Sequence, residues 1–201
     1  MDKALDQALE IFWAKGYEGT SLTDLTEAVG VNKPSLYAAF GGKEQLFLKA
    51  LDRYRERLGA FAAPSLMLPS AREGIEAFLR ALATFQSRAD TPKGCLLVQG
   101  ALAGSEDSRE VIGVLCKVRE SGREMIRKCL ERAREQGELP PDADVAALAR
   151  YFLTVSQGIS VQASSGVPTE ELHKTIAIAM TAWPELRPVR GRQAKRPKPG
   201  P

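Results

Sequence analysis

Three cysteines in 201 residues, an odd number at no close spacing, exclude a disulfide framework and point to a reducing compartment. One histidine and no Cys-x-x-Cys leave a zinc site without a ligand set, so no metal and no cofactor is expected. No apolar run is long enough to cross a bilayer, so no membrane span is expected. The charged, amphipathic start is not that of a signal peptide, and a cytoplasmic protein is the expectation. No nucleophile–base pair, metal cluster or phosphate loop stands out, which argues against an enzyme. Neither an internal repeat nor a βαβ alternation is present, which leaves an all-α chain with ample material for a core.

An excess of positive charge is also missing where it would be most telling. The net charge is +3, but Arg187, Arg190, Arg192, Lys195, Arg196 and Lys198 supply six positive charges against no acidic residue after position 186. Residues 1–186 therefore stand near −3, and residues 1–58 hold eight Lys/Arg against nine Asp/Glu. A polyanion partner would have to be held by a few placed cations and helix N-termini rather than by bulk charge. The tail over 187–201, basic and rich in proline, is expected to be disordered.

What is present is a helical hairpin built around a short, mostly polar helix. Gly30 supplies the positive-φ position that ends one helix, Asn32 is a good N-cap, and Pro34 fits the first turn of the next. Leu36 and Phe40 share a core-facing side, leaving Lys33, Ser35, Tyr37, Ala38 and Ala39 outside. A helix over 33–40 is too short to stand alone and needs a scaffold. Ahead of it, Ser21-Leu22-Thr23-Asp24 reads as a capping box, with Leu22, Leu25 and Val29 as an apolar stripe. Leu5, Ala8, Leu9 and Phe12 mark an amphipathic helix from Asp2 to Lys15, closed by Gly16. A fourth helix over 43–58 carries Phe47, Ala50, Leu51, Tyr54 and Leu58 on one face. Short helices joined by a tight turn, with the second one exposed, are the geometry of a helix-turn-helix reader of the major groove.

The order Phe-x-x-x-Gly-Tyr, Thr-Ser-Leu, Leu-x-x-x-x-Gly-Val, Ser-Leu-Tyr-x-x-Phe and Lys-Glu-x-Leu runs without a gap through the first quarter of the chain. This run resembles the N-terminal domain of the TetR family of bacterial transcriptional regulators. The resemblance implies an all-α protein of about nine helices. Its N-terminal three-helix helix-turn-helix domain would bind double-stranded DNA, and its C-terminal helical domain would bind a ligand and dimerise. It implies a repressor released from a palindromic operator by an unknown small-molecule effector, acting as a homodimer through its last two helices. Ser21, Thr23, Lys33, Pro34, Ser35, Tyr37, Ala38, Ala39 and Lys43 are then the expected DNA contacts. Lys33 suits a guanine edge and Ala38 and Ala39 a thymine methyl, while Tyr37 and Lys43 suit phosphates. Members of the family usually carry a basic arm ahead of the first helix, where this chain offers Lys3. The low charge of the head keeps a second reading open: a helical ligand- or redox-sensing dimer that has lost specific DNA binding.

Beyond the head, 59–70 reads as a proline-bearing connector and 59–186 as the regulatory part. Helices are expected over 71–88, from Ser108 as cap to Gln136, from Pro141-Asp142 to about Ser164, and from Pro168-Thr169 to before Pro184. The apolar stretch 95–103 is expected to be buried. Val111, Leu115, Val118, Gly122, Met125 and Cys129 form a seam at alternating spacing of 4 and 3. Small residues from Ala146 to Ala163, Gly158 among them, would let a second helix approach closely. Cys95 follows Pro92-Lys93-Gly94 at a helix start, where the dipole and Lys93 would favour a thiolate, a possible redox sensor. The competing expectation for Cys95 is a small buried apolar residue.

Overall fold

The computed structural model describes residues 2–100 and 106–185, with Asp107 described in its backbone only. The basic tail and the end of the apolar stretch at 101–103 lie outside the described residues. Nine α-helices and no strand are found among the described residues: α1 (Asp2–Lys15), α2 (Leu22–Val29), α3 (Lys33–Phe40), α4 (Lys43–Ala62), α5 (Ala71–Gln86), α6 (Leu96–Gln99), α7 (Arg109–Glu135), α8 (Val145–Ser164) and α9 (Thr169–Ala179).

The expected helix-turn-helix is in place, with its caps. Ser21 accepts from the Asp24 N–H at 3.0 Å, and the Ser21 N–H donates to the Asp24 carboxylate at 2.8 Å, a complete capping box. Gly30 closes α2 at φ 72°, and the Asn32 side chain accepts from the Ser35 N–H at 2.9 Å to open α3.

Two boundaries and one cap differ from the sequence expectation. α4 runs on past Leu58 to Ala62, because a lone Gly59 costs a helix only about 1 kcal/mol and Ala62 is buried behind it. A 3-10 segment with Pro64 in its first turn then follows over Ala63–Met67. α8 opens at Asp144 rather than Pro141: the Asp144 carboxylate accepts from the Ala147 N–H at 2.9 Å, while 140–143 closes a turn of its own. Ser108 stands at the head of α7 as expected, but it is buried at the end of a 3-10 turn with no side-chain cap bond.

Two hydrophobic cores organise the helices. The first joins α1–α4 to Phe85, to Cys95–Val98 and to Val111 and Leu115 at the start of α7. The second joins α5, the later part of α7, α8 and α9 around Ile75, Leu79, Ile126, Leu130, Phe152 and Ile176. The head core thus borrows residues from the middle of the chain, and α5 and α7 touch both cores. Between α1 and α4, the Asp6 carboxylate accepts from Arg53 at 3.0 Å and from Arg57 at 2.6 Å.

Candidate functional site

The scaffold behind α3 explains which of its side chains are free. Leu36 is fully buried and Phe40 is 6% exposed, so both anchor the helix to α4 and the head core. Burying two such side chains stabilises the docked helix by roughly 1.5–3 kcal/mol each, which outweighs its weak intrinsic helicity. Lys33, Pro34, Ser35, Tyr37, Ala38 and Ala39 are all exposed, as are Ser21 and Thr23 at the start of α2. The face expected from periodicity is therefore an unobstructed surface with one long cation at its N-terminal end.

Tyr37 is 48% exposed, and a Cβ on Gly42 would meet its ring at 3.4 Å. The tyrosine lies against the α3–α4 turn, which needs glycine at φ 84° (Gly41) and φ 122° (Gly42). Lys43 is half-buried, with its ammonium 4.4 Å from the centre of the Tyr17 ring. Burial lowers its pKa, and the nearby Glu18 carboxylate opposes that shift. The sequence expectation of a cation aimed only at phosphate did not foresee this seat. Nor did it foresee Lys15, whose ammonium meets Asp24 at 2.6 Å. Hydrogen bonding from Lys15, then from the Ser21 backbone and hydroxyl, holds the Asp24 carboxyl down at about 2.

Cys95 is 4% exposed at the start of α6 and accepts from the Tyr54 hydroxyl at 3.2 Å. Burial pushes its thiol up, against the direction expected from a helix start beside Lys93, although the Tyr54 bond opposes this. A four-residue helix and an exposed Lys93 offset little of that burial. The thiol with an accessible cationic partner is instead Cys116, exposed on α7, which accepts from the Arg119 guanidinium at 3.2 Å. The (i, i+3) spacing of Cys116 and Arg119 is legible in the sequence.

A cavity of about 590 Å³ lies between α4, α5, α7 and α8, where the two cores meet. Leu58, Phe78, Leu82, Val98, Met125 and Leu153 make its apolar wall, with Cys95 and Gln86 also lining it. The α7 seam therefore does not stay packed along its length: Val111, Leu115 and Cys129 are buried, but Val118, Gly122 and Met125 open onto this cavity. The largest exposure is at Met125, 44%.

One glycine ties cavity to head. The Gly94 N–H donates to the Gln86 carbonyl at 2.8 Å, and the Gly94 carbonyl accepts from the Trp13 indole of α1 at 3.0 Å. Gly94 holds φ 83°, and a Cβ there would sit 2.8 Å from Ser164 of α8, so no other residue fits. Trp13 itself is buried, edge-on to Tyr54 and stacked on Phe85.

On the outer side of α8, Ala147, Tyr151, Thr154, Gly158 and Val161 form a continuous exposed stripe at spacings of 4, 3, 4 and 3. Of the other small residues, Ala149, Ser156, Ser160 and Ala163 face inward, while Ala146 is exposed. On α9, Ile178 is 71% exposed beside them, with the Tyr151 hydroxyl donating to the Ala179 carbonyl at 3.2 Å. No helix among the described residues is long and apolar enough to cross a membrane, and none of their His, Cys, Asp and Glu side chains cluster as metal ligands.

Comparison with known proteins bears on both halves of the chain. Residues 4–50 match the family described as bacterial regulatory proteins, tetR family, and residues 71–178 match the tetracyclin repressor-like C-terminal domain. The HTH-type transcriptional repressor ComR of Escherichia coli (strain K12) is 35% identical over 187 residues, covering 92% of this chain and 89% of that protein. The HTH-type transcriptional repressor BdcR of the same organism is 28% identical over 182 residues, covering 89% and 86%. A cysteine-substituted form of the TetR family regulator CifR, solved on a 26-base-pair double-stranded operator DNA, superposes with a TM-score of 0.89. It is 40% identical, over 92% of this chain and 96% of that one. With the capped α2–α3 hairpin in front and the helical C-terminal part behind it, this chain belongs to the TetR family of transcriptional regulators.

Proposed function

We propose that the protein is a transcriptional repressor that grips a near-palindromic operator as a homodimer and lets go when a small molecule enters the cavity. The observation that carries the reading is α3, whose buried Leu36 and Phe40 leave a polar, small-residue face outward and Lys33 foremost. Such a face, on a helix of eight residues held by a tight turn, fits the major groove. The operator-bound CifR form and the repressor ComR favour it over a sensor that has lost DNA recognition. They also favour a regulator over an enzyme.

In this reading residues 1–58 hold DNA, while 59–186 sense the effector and dimerise. Lys33 reaches a guanine edge, and Ala38 and Ala39 offer apolar contact to a thymine methyl. Ser21, Thr23, Pro34 and Ser35 approach the backbone with the helix N-termini, and Tyr37 and Lys43 hold phosphates. Lys43, seated on the Tyr17 ring, presents its ammonium with little freedom to lose on binding. The outer stripe of α8 with Ile178 of α9 packs against its copy in a second subunit. That places two heads on successive major grooves, about 34 Å apart or somewhat more.

Release needs an effector with different affinities for the two head spacings, since tight binding alone shifts nothing. The cavity suits that role because α4, which carries the head, forms one wall and α7 and α8 form others. Displacement near Gln86 passes through Gly94 to Trp13 and so to α1. The test is a gel shift on the DNA upstream of the chain's own coding sequence, followed by a thermal-shift ligand screen. A saturable, sequence-preferring complex of one or two dimers is expected. Equal affinity for random DNA, or a monomer by sedimentation at micromolar concentration with and without DNA, overturns the proposal.

A further inference from the structure

The cavity wall carries a polar atom that its own surroundings leave unused. Gln86, at the last turn of α5, is 2% exposed, and its side-chain carbonyl oxygen accepts no hydrogen bond from any described residue. That oxygen belongs to a residue lining the cavity. A buried amide oxygen without a partner is destabilising, and such atoms recur where a ligand group completes them. Its neighbours on the opposite wall have the same polarity. The Ser156 hydroxyl gives its proton to the Leu153 carbonyl at 2.7 Å, and the Ser160 hydroxyl gives its proton to the Ser156 carbonyl at 2.9 Å. Both serines are buried, so toward the cavity they present lone pairs.

Among the described lining residues, charge is confined to the rim. Asp52, Arg55 and Glu56 are exposed residues of α4, and Arg55 is paired with Asp52 at 3.1 Å. Arg119 is half-exposed and engaged with Cys116. None of the described residues in the deep part of the cavity carries a charge that would offset the desolvation of an ion, so a charged occupant is disfavoured there. A volume of about 590 Å³ is that of an ordinary small-molecule site.

We infer that the effector is a neutral, largely apolar small molecule that presents one hydrogen-bond donor, O–H or N–H, to the side-chain oxygen of Gln86. This rests on the sensing role proposed above for the cavity. Gln86 is then a specificity-determining residue: the molecule lacking the donor leaves its oxygen unpaired, and the molecule carrying an anion meets acceptors. The same residue's backbone carbonyl holds Gly94, so the recognised group lands on the residue that carries the link to Trp13.

Three probes of one shape isolate the donor: naphthalene, 2-naphthol and 2-naphthoate, titrated into the full-length protein by calorimetry at neutral pH. 2-Naphthol should bind about tenfold more tightly than naphthalene, the share of one hydrogen bond, with 2-naphthoate weakest. Gln86→Leu should erase the preference of naphthol over naphthalene while leaving naphthalene binding equal or tighter. Gly122 lines the cavity with open space where a Cβ would go, so Gly122→Val should weaken naphthalene and naphthol alike without touching the head. A cooperative melt shows that each variant is folded. Equal binding of naphthalene and naphthol, tightest binding of naphthoate, no binding of any probe, or a preference that survives Gln86→Leu overturns the inference. Operator binding is measured in parallel: its loss in the unliganded wild type defeats the repressor reading, whereas the probe ranking decides the effector chemistry by itself.

Discussion

Trp13→Phe removes one hydrogen bond and keeps the ring. The indole donates to the Gly94 carbonyl at 3.0 Å in a fully enclosed setting, so the variant leaves a buried carbonyl without that donor. The unmade bond costs about 1–3 kcal/mol, and the lost ring volume against Tyr54 and Phe85 adds about 1 kcal/mol. For a chain of this length that lowers the melting temperature by roughly 4–16 °C. The more informative readout is coupling. With the Gly94 link broken, a cavity ligand should still bind, but the change it causes in operator affinity should shrink several-fold. Denaturant unfolding gives the first number, and operator titrations with and without ligand give the second. A stability loss below about 0.5 kcal/mol, together with unchanged coupling, would refute the assignment of Trp13–Gly94 as the link.

The Asp24 carboxyl, held at about 2 against an ordinary 3.8, contributes stability that is complete above about pH 4 and is lost as pH falls through about 2. Asp24→Asn should therefore lower head stability at neutral pH and flatten its acid dependence in that window, read by circular dichroism. Ile178→Glu places a charge on the exposed α8–α9 face and should leave a folded monomer in sedimentation, with operator binding reduced more than tenfold. Iodoacetamide at neutral pH should alkylate Cys116 well before Cys95, because Cys95 is buried and its thiol is pushed up; mass spectrometry of a timed series shows the order.

The head was legible in the sequence because each of its signals is local. Ser21 with Asp24, Gly30 and Asn32 are decided within three or four residues, and Leu36 with Phe40 within one turn, so caps and burial fell where periodicity put them. Where α4 ends was less legible, since Gly59 breaks a helix only weakly and burial of Ala62 extends it. The cavity was hidden for a different reason. Val118, Gly122 and Met125 continue the same 4-and-3 spacing as Val111 and Leu115, and only the spread of α4 and α8 decides that no helix fills the space above them. The Trp13–Gly94 bond joins residues 81 positions apart, and no pattern along the chain marks it. The Tyr17 seat of Lys43 was not legible, because the pairing of a lysine with a ring 26 residues away leaves no mark along the chain.

Lys33 is where the claim of sequence reading is most exposed. It stands near the start of α3, where side chains reach base edges, and Ser35, Ala38 and Ala39 around it are short. On the proposed reading, direct readout rests on that one side chain, with the remainder coming from DNA shape. The decisive measurement is the affinity of Lys33→Ala for the operator, its single-base variants and random DNA across a salt series, with Lys43→Ala alongside. Lys33→Ala should cost about 1–3 kcal/mol on the operator and relax preference at one base pair per half-site. Lys43→Ala should weaken all sequences alike and flatten the salt dependence by about one counterion per subunit. Equal loss on every sequence for Lys33→Ala, with base preference intact, would contradict the account.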